Sequence, residues 1–507
     1  INKSKQMRIY FIILLTIVGL AGFTGKSVAQ NRNMVWCFGD SAGIDFNNLA
    51  NPQPIETGMR GRGSCVSICD TAGSLLFYAN TRATLAGNTT SVYSSDDSLM
   101  QNGVNIPGRG WYQELVILPY PDSIKKYYLF SQSISGPSYG LYISKIDMSL
   151  GNGRGIVYEN GTLINSARMA DCLTGIKHAN GRDWWIYTRS QASGASNLFY
   201  TYLVSPKGID SLPPQPVGTP SGGGFIEFRW NKQGDKMAMV NVDGLIEIYD
   251  FDRCSGIISN PIAIRQPNTT TPIPTNWACE FSASSRYLYV SASPDSSYLV
   301  QIDLINSPIS FQLDTIWRTG YPQYTGGDLK RGPDDKIYMS NIYYNGVQFP
   351  YPYADSVYNQ YNMNLSVINN PDLPGASCNF TPYSFYLGGK RTYLGLPNNP
   401  DYDLGPVVGS VCDTLSVGVN DLKGNEVRYS LFPNPTQGAF RIETNVIQLE
   451  TYIGLYDING RQVYTQPLTT SHFTTNVYLP SLSNGVYLLK IANKKGVLST
   501  QRVVILK

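Results

Sequence analysis

Histidine is nearly missing from this chain: of 507 residues, only His178 and His472 carry an imidazole. A serine nucleophile needs such a base at its side. The one Gly-x-Ser-x-Gly match, Gly39-Asp-Ser41-Ala-Gly43, runs into Ile44-Asp-Phe46 rather than into the helix an elbow requires. His178 precedes the Gly181 turn and reads as a turn residue, so no catalytic residue is assigned. Charge is scarce as well. Asp, Glu, Lys and Arg make up 15% of the chain, with no basic cluster to track a phosphate backbone, which excludes a nucleic-acid partner. Glycine loops that open a helix around phosphate are lacking, since Ser221-Gly-Gly-Gly224 only ends a proline-rich run. No histidine pair accompanies Cys65 and Cys69 to make a zinc site, and Asp401 with Asp403 falls short of the roughly six to eight oxygens calcium takes. Neither cofactor nor metal is expected. Apolar residues at helical spacing are absent beyond the N-terminus, which leaves an all-β chain.

The N-terminus reads as an address. Lys3, Lys5 and Arg8 precede an apolar run from Ile9 to Phe23, and Ser27-Val28-Ala29 supplies small residues for cleavage after Ala29. The run is shorter than the ~20 residues that span a bilayer, so residues 1–29 are expected to leave as a signal peptide, with no membrane segment after it. Its four basic residues, Lys26 included, account for the whole excess of +3. The remainder is close to neutral.

Tyrosine, by contrast, is abundant: 36 residues, beside 48 glycines and 31 prolines, sheet formers punctuated by turn formers. One pattern recurs. Trp230-Asn-Lys-Gln-Gly234-Asp-Lys-Met-Ala-Met239, Phe281-Ser-Ala-Ser-Ser285-Arg-Tyr-Leu-Tyr-Val290 and Arg331-Gly-Pro-Asp-Asp335-Lys-Ile-Tyr-Met339 each read as a strand end, a polar turn and a buried strand. Their turns stand about 50 residues apart, a repeat period. The beat extends to Gly181, Ser123 and Gly73 upstream and to Gly388-Gly389 downstream. Strands that end near Asp147, Asp250 and Asp303 keep the same period. Short strands at this spacing predict a seven-bladed β-propeller over residues 30–412. Its ring is expected to close by setting Val35 to Phe38 beside the strands around Tyr383 to Tyr393.

The run Trp36 to Asn48, the segment Gly63 to Asp70 with Leu75-Leu-Phe-Tyr78, and Gly395-Leu-Pro-Asn398 with Asp401-Tyr402 resemble a group of secreted proteins from Bacteroidota, similar to WD-repeat and lactonase-type propellers. Asp413 to Arg428 reads as a linker, and residues 429–507 as a second unit. There the prolines of Phe432-Pro433-Asn434-Pro435 block a helix, Phe440 and Ile442 alternate with Arg441 and Glu443, and Asn459-Gly460 suits a hairpin turn. About seven short strands predict a small antiparallel, Ig-like sandwich. Phe432, Pro433, Asn434, Pro435 and Gly438, then Asp457 to Gly460, then Asn484-Gly485 with Tyr487, resemble the C-terminal sorting domain of type IX secretion cargo. That resemblance implies export through periplasm and outer membrane, with an outer-membrane translocon and a sortase-like protease as partners.

Eight cysteines in a secreted chain permit disulfides; the pairings expected first are Cys254–Cys279 and Cys378–Cys412. For binding, loop aromatics stand out, because flat rings gathered at a propeller rim suit stacking on sugars or anchoring protein partners. They are Trp111, Tyr112, Trp277, Tyr321, Tyr324, Tyr343 and Tyr344. The sequence thus reads as an exported, non-catalytic propeller that binds a glycan or a protein. The alternative is a lactonase-like or glycan-cleaving enzyme with acidic residues in the central funnel.

Overall fold

The computed structural model describes residues 31–413 and 429–507 apart from short interior stretches, the longest at 265–275, 306–312 and 344–356. The chain divides into two compact units between Cys412 and Asp413. Helix is confined to two 3-10 turns, Gly151–Gly153 and Gly375–Cys378, among the described residues, none long and apolar enough to cross a membrane.

The first unit is a β-propeller. Among the described residues seven antiparallel sheets of three or more strands follow one another along the chain, over residues 35–60, 65–107, 115–165, 174–221, 226–264, 276–319 and 329–386; they are blades 1 to 7 below. Blade 1 has three strands of its own, blade 4 has five, and the others four. From blade 2 onward the first strand of each sheet packs against the first strand of the next, so these strands line the axis. Second strands such as Trp184–Arg189 and Tyr287–Ala292 are buried at every position, because neighbouring blades cover both faces; hence their continuous apolar runs. Outer strands such as Phe380–Tyr386 alternate between exposed and partly covered.

The recurring turn has one physical cause. In blades 2 to 7 the first hairpin closes with the same backbone bond, Gly73, Ser123, Gly181, Gly234, Ser285 and Asp335 each donating to the carbonyl three residues earlier. At Gly234, Ser285 and Asp335 φ is 74°, 63° and 63°, the left-handed region where glycine is free and short polar side chains are tolerated. Side-chain acceptors complete the turn: Asn231 Oδ1 takes the amides of Asp235 and Lys236, and Ser282 Oγ that of Tyr287.

Closure differs from the expectation in one respect. Val35–Phe38 pairs with Asp40–Asp45 inside blade 1, and Phe380–Tyr386 pairs with Asn364–Ile368 inside blade 7, so those two strands do not meet. Instead, the turn at Gly388-Gly389 sends the chain inward, and residues 391–399 run antiparallel to Val35–Phe38. Arg391 bridges Asp40 at one end, and Asn399 Nδ2 donates to Asn33 Oδ1 (2.8 Å) at the other. This closing segment takes the innermost place in blade 1. Around it Trp36, Phe46 and Tyr338 meet edge to face, with ring centres 4.8–5.8 Å apart, and join blades 1 and 7 in one buried cluster with Leu365 and Val367.

The second unit is a sandwich with seven strands among the described residues. Tyr429–Phe432, Ala439–Thr444 and Thr474–Tyr478 form one sheet; Gln462–Pro467, Tyr452–Tyr456, Gly485–Asn493 and Gly496–Ile505 form the other. Phe440, Ile442, Ile453, Leu455, Leu489, Ile491 and Val503 fill the space between them.

If the aromatic trio joins the ends of the ring, Trp36→Ala should cost about 3–5 kcal/mol in urea unfolding of the ring, and Trp36→Phe much less. A cost under about 1 kcal/mol for Trp36→Ala would show that closure lies elsewhere.

Candidate functional site

The ring axis is occupied by the protein itself. Polar side chains cross it between blades that are not neighbours. Gln113, just ahead of blade 3, both donates to and accepts from the backbone of Phe228 in blade 5 (3.1 and 2.9 Å). Arg229 of blade 5 donates to Asp328 at the start of blade 7 (2.5 Å). Asn398 of the closing segment donates to the carbonyls of Leu115 in blade 3 and Leu173 just ahead of blade 4 (3.0 and 2.8 Å). Leu396 N donates to the other Asp328 oxygen. A β-carbon at Gly395 would overlap the Gly63 carbonyl, so only glycine passes there.

Three carboxylates surround one guanidinium at the axis. Glu227 and Asp328 lie 2.7 and 2.5 Å from Arg229, and Glu280 lies 3.7 Å away. Burial, countered in part by Arg229, pushes the Glu227 carboxyl well above the usual range. Glu280 also accepts the amides of Phe281 and Arg331 (both 2.9 Å).

Beyond Asn399 the closing segment crosses to blades 4 and 5, held by cations. Lys330 Nζ donates to the Asn399 carbonyl (3.0 Å), Lys177 Nζ to that of Tyr402 (2.7 Å), and Arg253 to that of Gly405 (2.6 Å). Burial lowers both lysines to about 8, for Lys177 against the pull of Asp401 and Asp403. Between this crossing and the turns of blades 5 to 7 lies a cavity of about 320 Å³, walled by Trp230, Lys232, Glu280, Lys330, Asp335 and Asn399 among others. Its rim is built from the repeated turn. Lys232 of one copy pairs with Asp335 of another (2.7 Å), and Asn231 Nδ2 donates to Ser285 Oγ (3.1 Å).

Of the aromatics singled out from the sequence, Tyr112, Trp277 and Tyr343 lie away from this cavity. Tyr112 and Trp277 meet edge to face (4.8 Å) and pack on Ile342, Tyr393 and Leu394. Tyr343 stacks on Tyr361 (5.7 Å); its strand, Ile342–Tyr343, pairs with Gln323–Tyr324. Trp111, Tyr321 and Tyr344 lie outside the described residues. The cysteine expectation needs correction: Cys254 is bonded to Cys412, while Cys279 and Cys378 are buried thiols. The closing segment carries Cys412 across to blade 5, which no strand count could foresee. Ser41 lies inside the strand Asp40–Asp45, and His178 accepts from Asn180 N within its turn and bonds Cys254 O of blade 5.

In the second unit the motif residues clasp one strand. Asn434 donates to the Arg502 carbonyl (2.6 Å) and accepts from Val504 N (2.9 Å). Thr436 N donates to Val504 O, and Asn484 accepts from Lys507 N (2.7 Å). Asp457 takes the amides of Asn459 and Arg461 around Gly460, and Tyr487 is buried, its hydroxyl donating to Ser483 O. Residues 430–506 match the family described as "Secretion system C-terminal sorting domain". The tail is a sorting domain. With it the protein is exported by type IX secretion, to the cell surface or the medium, and engages that machinery.

No curated protein matches the chain in sequence. Among solved structures, a protein of Bacteroides fragilis provisionally assigned as a 6-phosphogluconolactonase has a TM-score of 0.45 at 10% identity, covering 72% of this chain and 96% of its own. The periplasmic gluconolactonase of Pseudomonas aeruginosa gives 0.40 at 11%, covering 72% and 98%. Raptor of Chaetomium thermophilum gives 0.32 at 9%, covering 79% and 28%. Similarity this low carries no inference about activity.

Two predictions follow from these geometries. A free lysine titrates near roughly 10.4, above the folded value of about 8 for Lys177 and Lys330. At these two sites the unfolded chain therefore holds more protons between those values, and their contribution to unfolding free energy should rise with pH from about 8 to 10. It runs against the fall due to the buried thiols Cys37, Cys65, Cys69, Cys172, Cys279 and Cys378, which burial keeps protonated in the fold. Urea midpoints at intervals across that window should fall more steeply with pH in the double variant Lys177→Met, Lys330→Met than in the unsubstituted chain. For the tail, Asn434→Ala with Asn484→Ala should lower sandwich stability by about 1–3 kcal/mol and raise the cell-retained fraction on immunoblots, leaving the ring's unfolding transition in place.

Proposed function

We propose that the ring is a non-catalytic binding module, carried to the cell surface by its sorting tail, and that it takes a glycan in the cavity where the blade turns converge. The observation that carries this reading is the occupied axis. A funnel enzyme needs acidic groups facing an open cleft, and here Asp328, Glu227 and Glu280 are spent on Arg229 and on backbone amides. The cavity above them is of the size that holds a small ligand, and its rim of paired charges and amides suits hydroxyl-rich molecules. After delivery, removal of the tail by a sortase-like protease would leave the ring at the surface.

The enzyme reading draws on one specific observation: Glu280 and Lys330 both wall the cavity. Full-length protein tested on an oligosaccharide array beside lactone and glycoside substrates separates the two. Binding without turnover is expected. Turnover abolished by Glu280→Gln would replace this reading with the enzymatic one.

A further inference from the structure

Lys330 is out of keeping with the other cations of the cavity wall. It stands in the innermost strand of blade 7, Leu329–Arg331, and is only 7% exposed. Arg229 has three carboxylates, Lys232 has Asp335, and Arg331 has Glu280 at 3.9 Å and Asp335 at 3.9 Å. Among the described residues no carboxylate comes within 4.0 Å of Lys330 Nζ; Glu280 and Asp328 act on it only from farther off. Its one acceptor is the Asn399 carbonyl, although an ammonium brings three donors. The Trp36 ring, 5.9 Å away, is at the far limit of a cation–π contact.

A buried ammonium is costly unless paired, and a neutral amide could serve a backbone carbonyl equally well, as Asn398 serves two. The site therefore holds a cation where the fold alone needs only a donor. That cation faces a cavity, so its missing partner fits as a negative group brought from outside. The remaining wall limits which group. Asp401 and Asp403 border the same cavity on its exposed side and would repel a polyanion, while Asn31 and Asn33 bring amides to the same wall that suit hydroxyls. A single carboxylate set among hydroxyls meets both conditions.

We propose that the cavity binds an acidic sugar of the uronate class, with Lys330 as the carboxylate anchor. This rests on the glycan-binding reading above and names the chemistry of its ligand. The test is calorimetry of the full-length protein with an aldobiouronate, one uronate joined to one neutral sugar, against the neutral disaccharide of the same linkage. At least tenfold tighter binding of the acid is expected. Lys330→Gln should remove that preference while leaving the ring's thermal transition no lower, and Lys330→Arg should keep part of it. Equal affinity for the two sugars, or a preference that survives Lys330→Gln, would overturn the uronate assignment and leave glycan binding standing. Binding of neither sugar would count against both.

Discussion

A ring of sheets creates a problem at its centre: the innermost strands present backbone and side-chain polar groups to a narrow axis, where each must find a partner. Here the partners come from across the ring. Gln113 spans from just ahead of blade 3 to blade 5, Arg229 from blade 5 to the start of blade 7, and Asn398 from blade 1 to blade 3 and to the residue just ahead of blade 4. These bonds fix the blades relative to one another more directly than packing of adjacent faces can, since each reaches past a neighbour. Low dielectric makes such a network strong when complete and costly when broken. The position of the closing segment, the burial of the lysines and the shape of the cavity all depend on it.

The same arrangement leaves no room along the axis. With the axis braced, a cavity opens on the face where the turns of blades 5 to 7 gather, and the repeated turn acquires a second role. It reverses the chain at the end of each inner strand, and in blades 5 to 7 its side chains touch one another to form the rim. A sequence element that exists for a backbone reason thus also places Lys232 and Asp335 beside the cavity.

Much of this was legible beforehand, and the exceptions share a cause. The turn repeat can be read because left-handed φ selects Gly, Asn, Asp or Ser at fixed offsets, and buried strands can be read because both faces are covered. Tail strands such as Ala439–Thr444 show plain alternation. Gly395-Leu-Pro-Asn398, in contrast, has no periodicity to betray that it lies at the axis, and Asn398 looks like any turn asparagine. Lys330 precedes a turn in a repeat and gives no local sign that its neighbours leave it without a carboxylate. The aromatics drew attention because they are large, yet Tyr112 and Trp277 mostly meet each other. Patterns of adjacent residues reveal local geometry; contacts across a ring, such as the one that brings Cys412 to Cys254, leave no such trace.

That bond has a mechanical meaning. The closing segment is a thread fixed at both ends, by the Arg391–Asp40 contact near blade 7 and by Cys254 on blade 5. Tension applied to any residue after Cys412 would be borne covalently by blade 5 before it reached the hydrogen bonds at the axis. A chain hauled by its tail through a pore could therefore be pulled hard without its centre being drawn out like a cord from a hem.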